Sequence, residues 1–315
     1  MRAVLCVVAL ATGAACGGGG AANYPSRQLT YLIAFDPGGQ SDREARRQQP
    51  LLQQYFQQPV VVDYKVGGGG ALGWSEVAHS RADGYLFVGF NLPHIILQPL
   101  LQDTGYETSQ LRLVVLFQRT PIALAVLQTS PYLTLDEFLA AARASPGALA
   151  IGASGTLTGP HLSTIRLDKL TGIRTRYVPF TGSATAITAF LGGHTTANFV
   201  FSDEVVKYRD RTRILAITSD TRLRGFEDIP TFRELGIDLV EAVDRGVAVP
   251  KGTPDAIVAS LESAFLRVAN DPAIQLAQRR EGFVPLAMGA QESESYIGAR
   301  ADYYRQLLQT LEHAR

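Results

Sequence analysis

The sequence contains very little cysteine. Cys6 and Cys16 are the two cysteines among 315 residues. Because both lie near the N-terminus, the rest of the chain can form neither an internal disulfide nor a cysteine-based zinc site. An excess of charge of one sign is also absent, since 29 Lys and Arg residues balance 29 Asp and Glu residues. This balance predicts no binding to nucleic acid and no attraction to an anionic membrane.

A long apolar run is missing as well. The run from Ala3 to Ala11 is too short for a permanent membrane-spanning helix, which needs roughly 20 apolar residues. It follows Arg2 and precedes small residues, an order typical of a cleaved export signal. We therefore predict that residues 1–23 are a signal peptide and that the protein is periplasmic. Gly13 to Cys16 is similar to a lipoprotein cleavage box, so lipidation at Cys16 and plain cleavage are both open.

From Gln28 onwards, short apolar runs alternate with amphipathic stretches. This alternation is typical of α/β folds with parallel strands and crossover helices. The predicted strands are 29–35, 59–63, 85–91, 121–127, 148–152, 175–178, 196–201, 214–218 and 245–249. The first predicted helix begins at Ser41 or Asp42 and ends at 56. The other predicted helices are 71–82, 135–144, 161–171, 254–270 and 293–315. Glycine-rich turns at strand ends favour capture of a carboxylate or phosphate by backbone N–H groups.

Two segments resemble enzyme motifs only in part. Residues 68–73 match G-x-G-x-x-G, but the next strand ends at Asn91 without the acidic residue of a dinucleotide site. Ser154 lies in a G-x-S-x-T segment that lacks the second glycine of a nucleophile elbow. The five histidines show no metal-ligand spacing. We predict no catalysis, no cofactor and no metal; an exported hydrolase at Ser154 or an NAD-dependent oxidoreductase at the Gly68 turn is the alternative.

Two charged residues have two interpretations each. Arg245 lies in an otherwise apolar segment, where a buried charge needs a partner. That partner is either a ligand carboxylate or a salt bridge to Asp203 or Asp244. Asp42 either caps a helix or orients the glycine loop before it, and the two roles can coexist.

Several segments, in order, resemble the periplasmic solute receptors of tripartite tricarboxylate transporters, the Bug or TctC family. The similarity runs from about Tyr24 to the C-terminus. YPSRQLTYLIAFDPGGQSD is similar to the family's first strand and PGGxxD loop, and QPVVVDYKVGGGGALGW to its second strand and glycine-rich turn. IGASGTLTGPHL is similar to its GSSGxGTxxHL segment, and RYVPFTGSATAITAFLGGH to VPYxGxxPAxxxLLGG. VAVPKGTP completes the series.

The resemblance implies a fold and a function. The implied fold is a two-lobed periplasmic-binding-protein clamshell (type II-like), with a mostly parallel sheet and flanking helices in each lobe and two interlobe strand crossovers. Lobe 1 would be 24–119 plus 245–315, and lobe 2 would be 120–244. The implied function is capture of a small di- or tricarboxylate or aromatic acid, delivered by a monomer to membrane subunits of the transporter. A receptor that feeds a signalling system is the alternative.

The resemblance also implies the ligand-binding residues, to which we add Arg245. They come from the first-strand loop and from three segments of the second lobe: Phe35, Gly38, Gly39, Asp42, Ser154, Gly155, Thr158, Phe180, Thr181, Gly182, Ser202 and Asp203. Asp36 departs from the family pattern. Its negative charge should weaken the binding of a carboxylate unless the side chain faces solvent.

Overall fold

The computed structural model describes residues 23–223 and 225–312. Residues 1–22 of the predicted signal peptide, Cys16 among them, lie outside these residues. The strands within them are β1 (Leu29–Ile33), β2 (Val60–Tyr64), β3 (Leu86–Leu92), β4 (Leu111–Leu127), β5 (Ala150–Ser154), β6 (Arg176–Phe180), β7 (Ala197–Phe201), β8 (Thr212–Ile217), β9 (Ala242–Pro250) and β10 (Val284–Met288). The α-helices are α1 (Gln40–Phe56), α2 (Ala71–Ala78), α3 (His94–Leu101), α4 (Leu135–Ala144), α5 (Gly159–Thr171), α6 (Ser183–Leu191), α7 (Ser202–Lys207), α8 (Asp255–Ala269), α9 (Pro272–Arg280) and α10 (Ala290–Glu312).

The strands form a mixed sheet. Their order is β2-β1-β3-β9-β4-β7-β5-β6, and β8 and β10 also pair with β4. The pairs of β1 with β2 and β3, and of β5 with β6 and β7, are parallel. The pairings that involve β4 or β9 are antiparallel. The prediction of mostly parallel sheets therefore describes the outer strands, whereas the centre is antiparallel.

Strand β4 joins two parts of this sheet. Its residues 111–121 pair with β9, and its residues 122–127 pair with β7 or β8. We call the part that contains β1, β2 and β3 the first sheet, and the part that contains β5, β6 and β7 the second sheet. Where the chain divides into lobes stays a prediction.

The buried apolar side chains belong mainly to one sheet or the other. Tyr31, Phe87 and Phe265 pack in one cluster of the first sheet. Phe138 and Phe199 pack in a cluster of the second sheet.

Several elements differ from those predicted. Thr134 caps α4, and that helix has the predicted bounds. Helix α1 begins at Gln40, so Ser41 and Asp42 lie in its first turn and neither is the N-cap. Helix α2 ends at Ala78, four residues before the predicted end. The sequence patterns did not predict α3, α6, α7, α9 and β10, and β4 begins ten residues before the predicted 121–127.

Candidate functional site

The loop after β1 is oriented by Asp42. The Asp42 carboxylate accepts hydrogen bonds from the Gly38 N–H at 2.7 Å and from the Tyr64 hydroxyl at 2.7 Å. Gly38 has φ +75°, a left-handed conformation that favours glycine. Asp42 therefore orients the glycine loop, the second of its two predicted roles, although it does not cap the helix.

The side chain of Asp36 extends from this loop to the second sheet. Its Oδ2 accepts a hydrogen bond from the Thr185 N–H, in the first turn of α6, at 3.2 Å. Asp36 is 8% exposed, so its side chain does not face solvent. Burial raises the pKa of Asp36, and the hydrogen bonds from Thr185 offset part of that rise. The Asp36 carboxylate, which we expected to weaken the binding of an anion, is thus buried.

The N-termini of α1 and α6 meet beside Asp36. The Gln40 N–H donates to the Ser183 Oγ at 3.0 Å. A Cβ atom at Gly182 would lie 1.6 Å from the Asp36 Oδ1, and one at Gly39 would lie 2.9 Å from the same atom. A side chain at either position would therefore have to displace Asp36. We call residues 36–40 and 182–185 the junction.

The junction holds two helix N-termini, and the carboxylate that lies between them in this structure is that of Asp36. The first N–H groups of an α-helix have no partner within the helix, and the helix dipole makes that end positive. Here the ends of two helices, of 17 and 9 residues, face each other. Of the predicted residues, the junction brings together Gly38, Gly39 and Gly182. Thr181 adjoins it, with its hydroxyl 3.1 Å from that of Thr185.

Four other predicted residues lie at the ends of β5 and β6 and in the turn between β5 and α5, and they bond mainly to one another. The Gly155 N–H donates to the Phe180 carbonyl at 2.7 Å, and the Thr158 hydroxyl donates to the Ser154 carbonyl at 2.8 Å. These two donors are already used within the turn. The turn still touches the first sheet, because a Cβ at Gly155 would lie 3.1 Å from the Cα of Gly69.

Phe35 is a packing residue in this structure. Its ring makes edge contacts with Trp74 at 6.1 Å and with His94 at 5.9 Å between centroids. Both neighbours belong to the first sheet's side of the molecule. The Phe35 side chain therefore packs in the apolar cluster that contains Trp74.

Ser202 and Asp203 begin α7 and lie against α1. Asp203 forms an ion pair with Arg43, and Arg43 also donates to the Gly38 carbonyl at 2.7 Å. Arg43 therefore links the glycine loop to the second sheet. The Ser202 Oγ and the Asp203 Oδ1 are buried and have no hydrogen-bond partner among the described residues.

Arg245 makes neither of the two predicted salt bridges. Asp203 is paired with Arg43, and Asp244 is paired with Arg119 at 2.7 Å. Arg245 is 2% exposed, and its Nη1 donates to the Thr120 Oγ1 at 2.9 Å. Burial lowers the pKa of Arg245 to about 9. The salt-bridge interpretation is wrong, and a direct ligand contact by Arg245 stays a prediction.

Two buried glutamates near Arg245 were not predicted. Burial raises the pKa of Glu44 to about 7 and that of Glu204 to about 7, while the positive charge of Arg245 lowers both. Glu204 Oε2 accepts a hydrogen bond from the Phe201 N–H at 3.0 Å. The spacing from Phe201 to Glu204 was the available signal, because an acidic residue in the first turn of a helix often accepts from the backbone before it.

Within residues 23–223 and 225–312, no group of three His, Cys, Asp or Glu side chains could hold a metal ion. Among the same residues, no helix combines the length and the apolar character needed to cross a bilayer.

The mixed α/β sheet, its flanking helices and the facing helix N-termini define the class of periplasmic binding proteins. Solved structures share this fold. One, described as a periplasmic transporter, has a TM-score of 0.86 and 29% identity, over 91% of this chain and 97% of that chain. Another, R. palustris Rpa4515 with adipate, has a TM-score of 0.86 and 26% identity, over 92% of this chain and 98% of that chain.

Residues 45–312 match the tripartite tricarboxylate transporter family receptors, TctC. This chain belongs to that family, as the resemblance predicted. It is 30% identical to protein BugT of Bordetella pertussis over 287 residues, which are 87% of this chain and 86% of that protein. It is also 26% identical to a protein of Cupriavidus necator, the UPF0065 protein in gbd 5'region, over 93% of this chain and 90% of that protein.

Proposed function

We propose that this chain is a periplasmic receptor that binds a small organic carboxylate at the junction and catalyses no reaction. The single observation that carries this proposal is the meeting of the α1 and α6 N-termini, linked by the Gln40 N–H and the Ser183 Oγ at 3.0 Å. Two positive helix ends that face each other favour an anion between them. A ligand held by both ends would also favour the closed arrangement over an open one.

Family membership and one relative support the carboxylate. The chain belongs to the tricarboxylate receptor family, and a relative with 26% identity was solved with adipate. Both point to an organic acid. We further propose that the receptor delivers this acid to the membrane subunits of a tripartite transporter, and that the export signal at residues 1–23 brings it to the periplasm.

The test is a thermal-shift screen of the purified protein with adipate, succinate, malate, citrate and benzoate. A ligand that binds only the folded protein stabilises it by about 2.7 kcal/mol when present at 100 times its Kd. We expect at least one acid to raise the Tm, and small-angle scattering to show a compact complex. If none of these acids changes the Tm at millimolar concentration, the proposed function is wrong.

A further inference from the structure

A groove lies between α7 and α9, away from the junction. It has a volume of about 740 Å³ and is lined by three apolar side chains and three arginines: Val206, Phe226, Leu276, Arg209, Arg279 and Arg280. This volume falls within the range of about 300 to 1,000 Å³ that is usual for small-molecule sites. We call it the α7–α9 groove.

The two walls of the α7–α9 groove belong to different parts of the molecule. Phe226 packs in a cluster with strands of the second sheet. Ile274, in α9, packs with Tyr31 in a cluster of the first sheet. A Cβ at Gly282, just after α9, would lie 2.7 Å from the Phe226 ring. The walls therefore meet at Gly282, and a ligand in the groove contacts both parts.

The apolar lining of the α7–α9 groove is partly open to solvent. The Leu276 side chain, on α9, is 49% exposed, and that of Val206, on α7, is 42% exposed. The Phe226 ring, which is buried, lies in the same lining. Adjacent exposed apolar side chains with a polar rim are typical of surfaces that bind a partner or a ligand. The apolar body of a ligand would cover them.

The charged side chains of the α7–α9 groove are all arginines. Arg209 forms an ion pair with Asp228 at 2.7 Å, whereas Arg279 donates to the neutral Gln275 amide at 3.0 Å. Among the described residues, neither Arg279 nor Arg280 forms an ion pair with an acidic side chain. Because the chain as a whole has equal numbers of acidic and basic residues, this positive charge is local. Guanidinium groups in such a place favour a carboxylate or sulfonate.

We propose that the α7–α9 groove is a second binding site and that it takes an amphipathic organic anion. The apolar body of the ligand lies on Phe226 and Leu276, and its anionic head group lies on Arg279 and Arg280. This inference is independent of the proposed function, because no residue of the groove belongs to the junction. Since the ligand contacts both walls, it favours the arrangement in which they face each other.

The probe is decanoate, which has an apolar chain and a carboxylate. Decyltrimethylammonium has the same chain with a positive head group, and acetate has the head group without the chain. Isothermal calorimetry measures the binding of each compound to the wild type. We expect saturable binding of decanoate with a Kd below about 1 mM, and no saturation by the other two compounds at the same concentrations.

The first variant tests the head group. Arg279→Gln combined with Arg280→Gln should weaken decanoate binding about tenfold, the combined size of two exposed ion pairs. The matched control is Arg81→Gln combined with Arg174→Gln, which removes two exposed arginines outside the groove and should bind decanoate like the wild type.

The second variant tests the apolar wall. Leu276→Gln should weaken decanoate binding about fivefold, because part of the apolar contact is lost. Leu170→Gln is the matched control, since Leu170 is also a helical leucine with 49% exposure and lies in α5. Circular dichroism and the Tm without ligand show that each variant is folded.

Three results would overturn the inference. One is the absence of saturable decanoate binding to the wild type at millimolar concentration. Another is equal binding of decyltrimethylammonium, which would exclude the arginines as the head-group site. The third is wild-type affinity in both groove variants, which would place decanoate elsewhere.

Anionic lipid in a bilayer carries the same chemistry as the free anion. Cosedimentation with phosphatidylglycerol vesicles distinguishes the two sources. We expect the protein to stay in the supernatant, because the proposed occupant is a free molecule enclosed between two walls. Sedimentation with these vesicles that the Arg279→Gln and Arg280→Gln double variant abolishes would overturn the inference.

Discussion

At the scale of single residues, the junction depends on glycines for two different reasons. Gly182 and Gly39 have no room for a Cβ atom, because Asp36 lies within 1.6 Å and 2.9 Å of the built positions. A Cβ at Gly38 would meet nothing within 4 Å, and glycine is favoured there instead by its φ of +75°. A substitution at Gly182 should therefore act directly on the contact between the loop after β1 and α6.

Gly182→Ala tests that contact. The added methyl group must displace the Asp36 carboxylate, which separates the two helix N-termini and removes the binding geometry. We expect the affinity for the acid found in the thermal-shift screen to fall at least tenfold, with a change in unfolding free energy of about 1 to 3 kcal/mol from overpacking. Isothermal calorimetry and urea unfolding measure the two quantities.

The matched control is Gly298→Ala. Gly298 lies in α10, and a Cβ there meets nothing within 4 Å. Alanine is favoured over glycine inside a helix by about 1 kcal/mol, so this variant should be slightly more stable and bind normally. Equal affinities for Gly182→Ala and the wild type would show that the junction is not the binding site.

At the scale of elements, local signals predicted some helices and not others. Helix α4 has the predicted bounds because Thr134 and Glu137 form a capping box before an amphipathic stretch. Helix α3 has no such signal. Its N-cap is Pro93, it contains Pro99, and its first five residues are all buried. A helix of only eight residues that is interrupted by proline offers too short a pattern, so periodicity could not reveal it.

The capping box of α4 gives a stability prediction that is independent of ligand binding. The Thr134 hydroxyl accepts a hydrogen bond from the Glu137 N–H at 3.2 Å. Thr134→Ala removes this acceptor and should lower the unfolding free energy by about 1 kcal/mol, measured by urea unfolding. Ligand affinity should stay unchanged.

Thr221→Ala is the control for the capping prediction. Thr221 is exposed and lies outside the helices, so its loss should change the unfolding free energy by less than about 0.5 kcal/mol. If both variants unfold at the same urea concentration as the wild type, the Thr134 cap contributes nothing to stability.

At the scale of the whole molecule, the contacts that form the candidate site could not be predicted from the sequence. The alternation of strands and helices predicted an α/β fold, and the ordered motifs predicted the family. The hydrogen bond from Thr185 to Asp36 joins residues 149 positions apart, and the one from Arg43 to Asp203 joins residues 160 positions apart. No local pattern encodes such pairs, since they exist only after both sheets have formed and met.

The antiparallel centre of the sheet also depends on long-range contacts and could not be predicted from local patterns. Strand β9 follows β8 in the chain by more than twenty residues, yet it lies between β3 and β4. Its apolar run predicts a strand but not its neighbours. Partner choice, and with it the position of Arg245 opposite Asn91 and Gln118, depends on the path of the whole chain. That is why both salt bridges predicted for Arg245 were wrong.

The buried glutamate Glu204 should make the stability of the whole molecule depend on pH. Burial raises its pKa from 4.5 to about 7, and the charge of Asp36 adds to the rise. The folded protein therefore holds a proton that the unfolded chain releases at a lower pH. Because the native state binds more protons between pH 4.5 and about 7, the unfolding free energy contributed by Glu204 falls as the pH rises through that range.

Glu204→Gln tests this dependence while keeping an acceptor for the Phe201 N–H. Urea unfolding of the wild type and the variant at several pH values between 4.5 and 8 gives the two slopes. We expect the variant to gain stability relative to the wild type as the pH rises, by on the order of 1 kcal/mol per pH unit up to about pH 7 and by no more above it. Glu294→Gln, an exposed change in α10, should run parallel to the wild type. A constant difference between Glu204→Gln and the wild type across this range would mean that Glu204 has the same pKa in the folded and unfolded states.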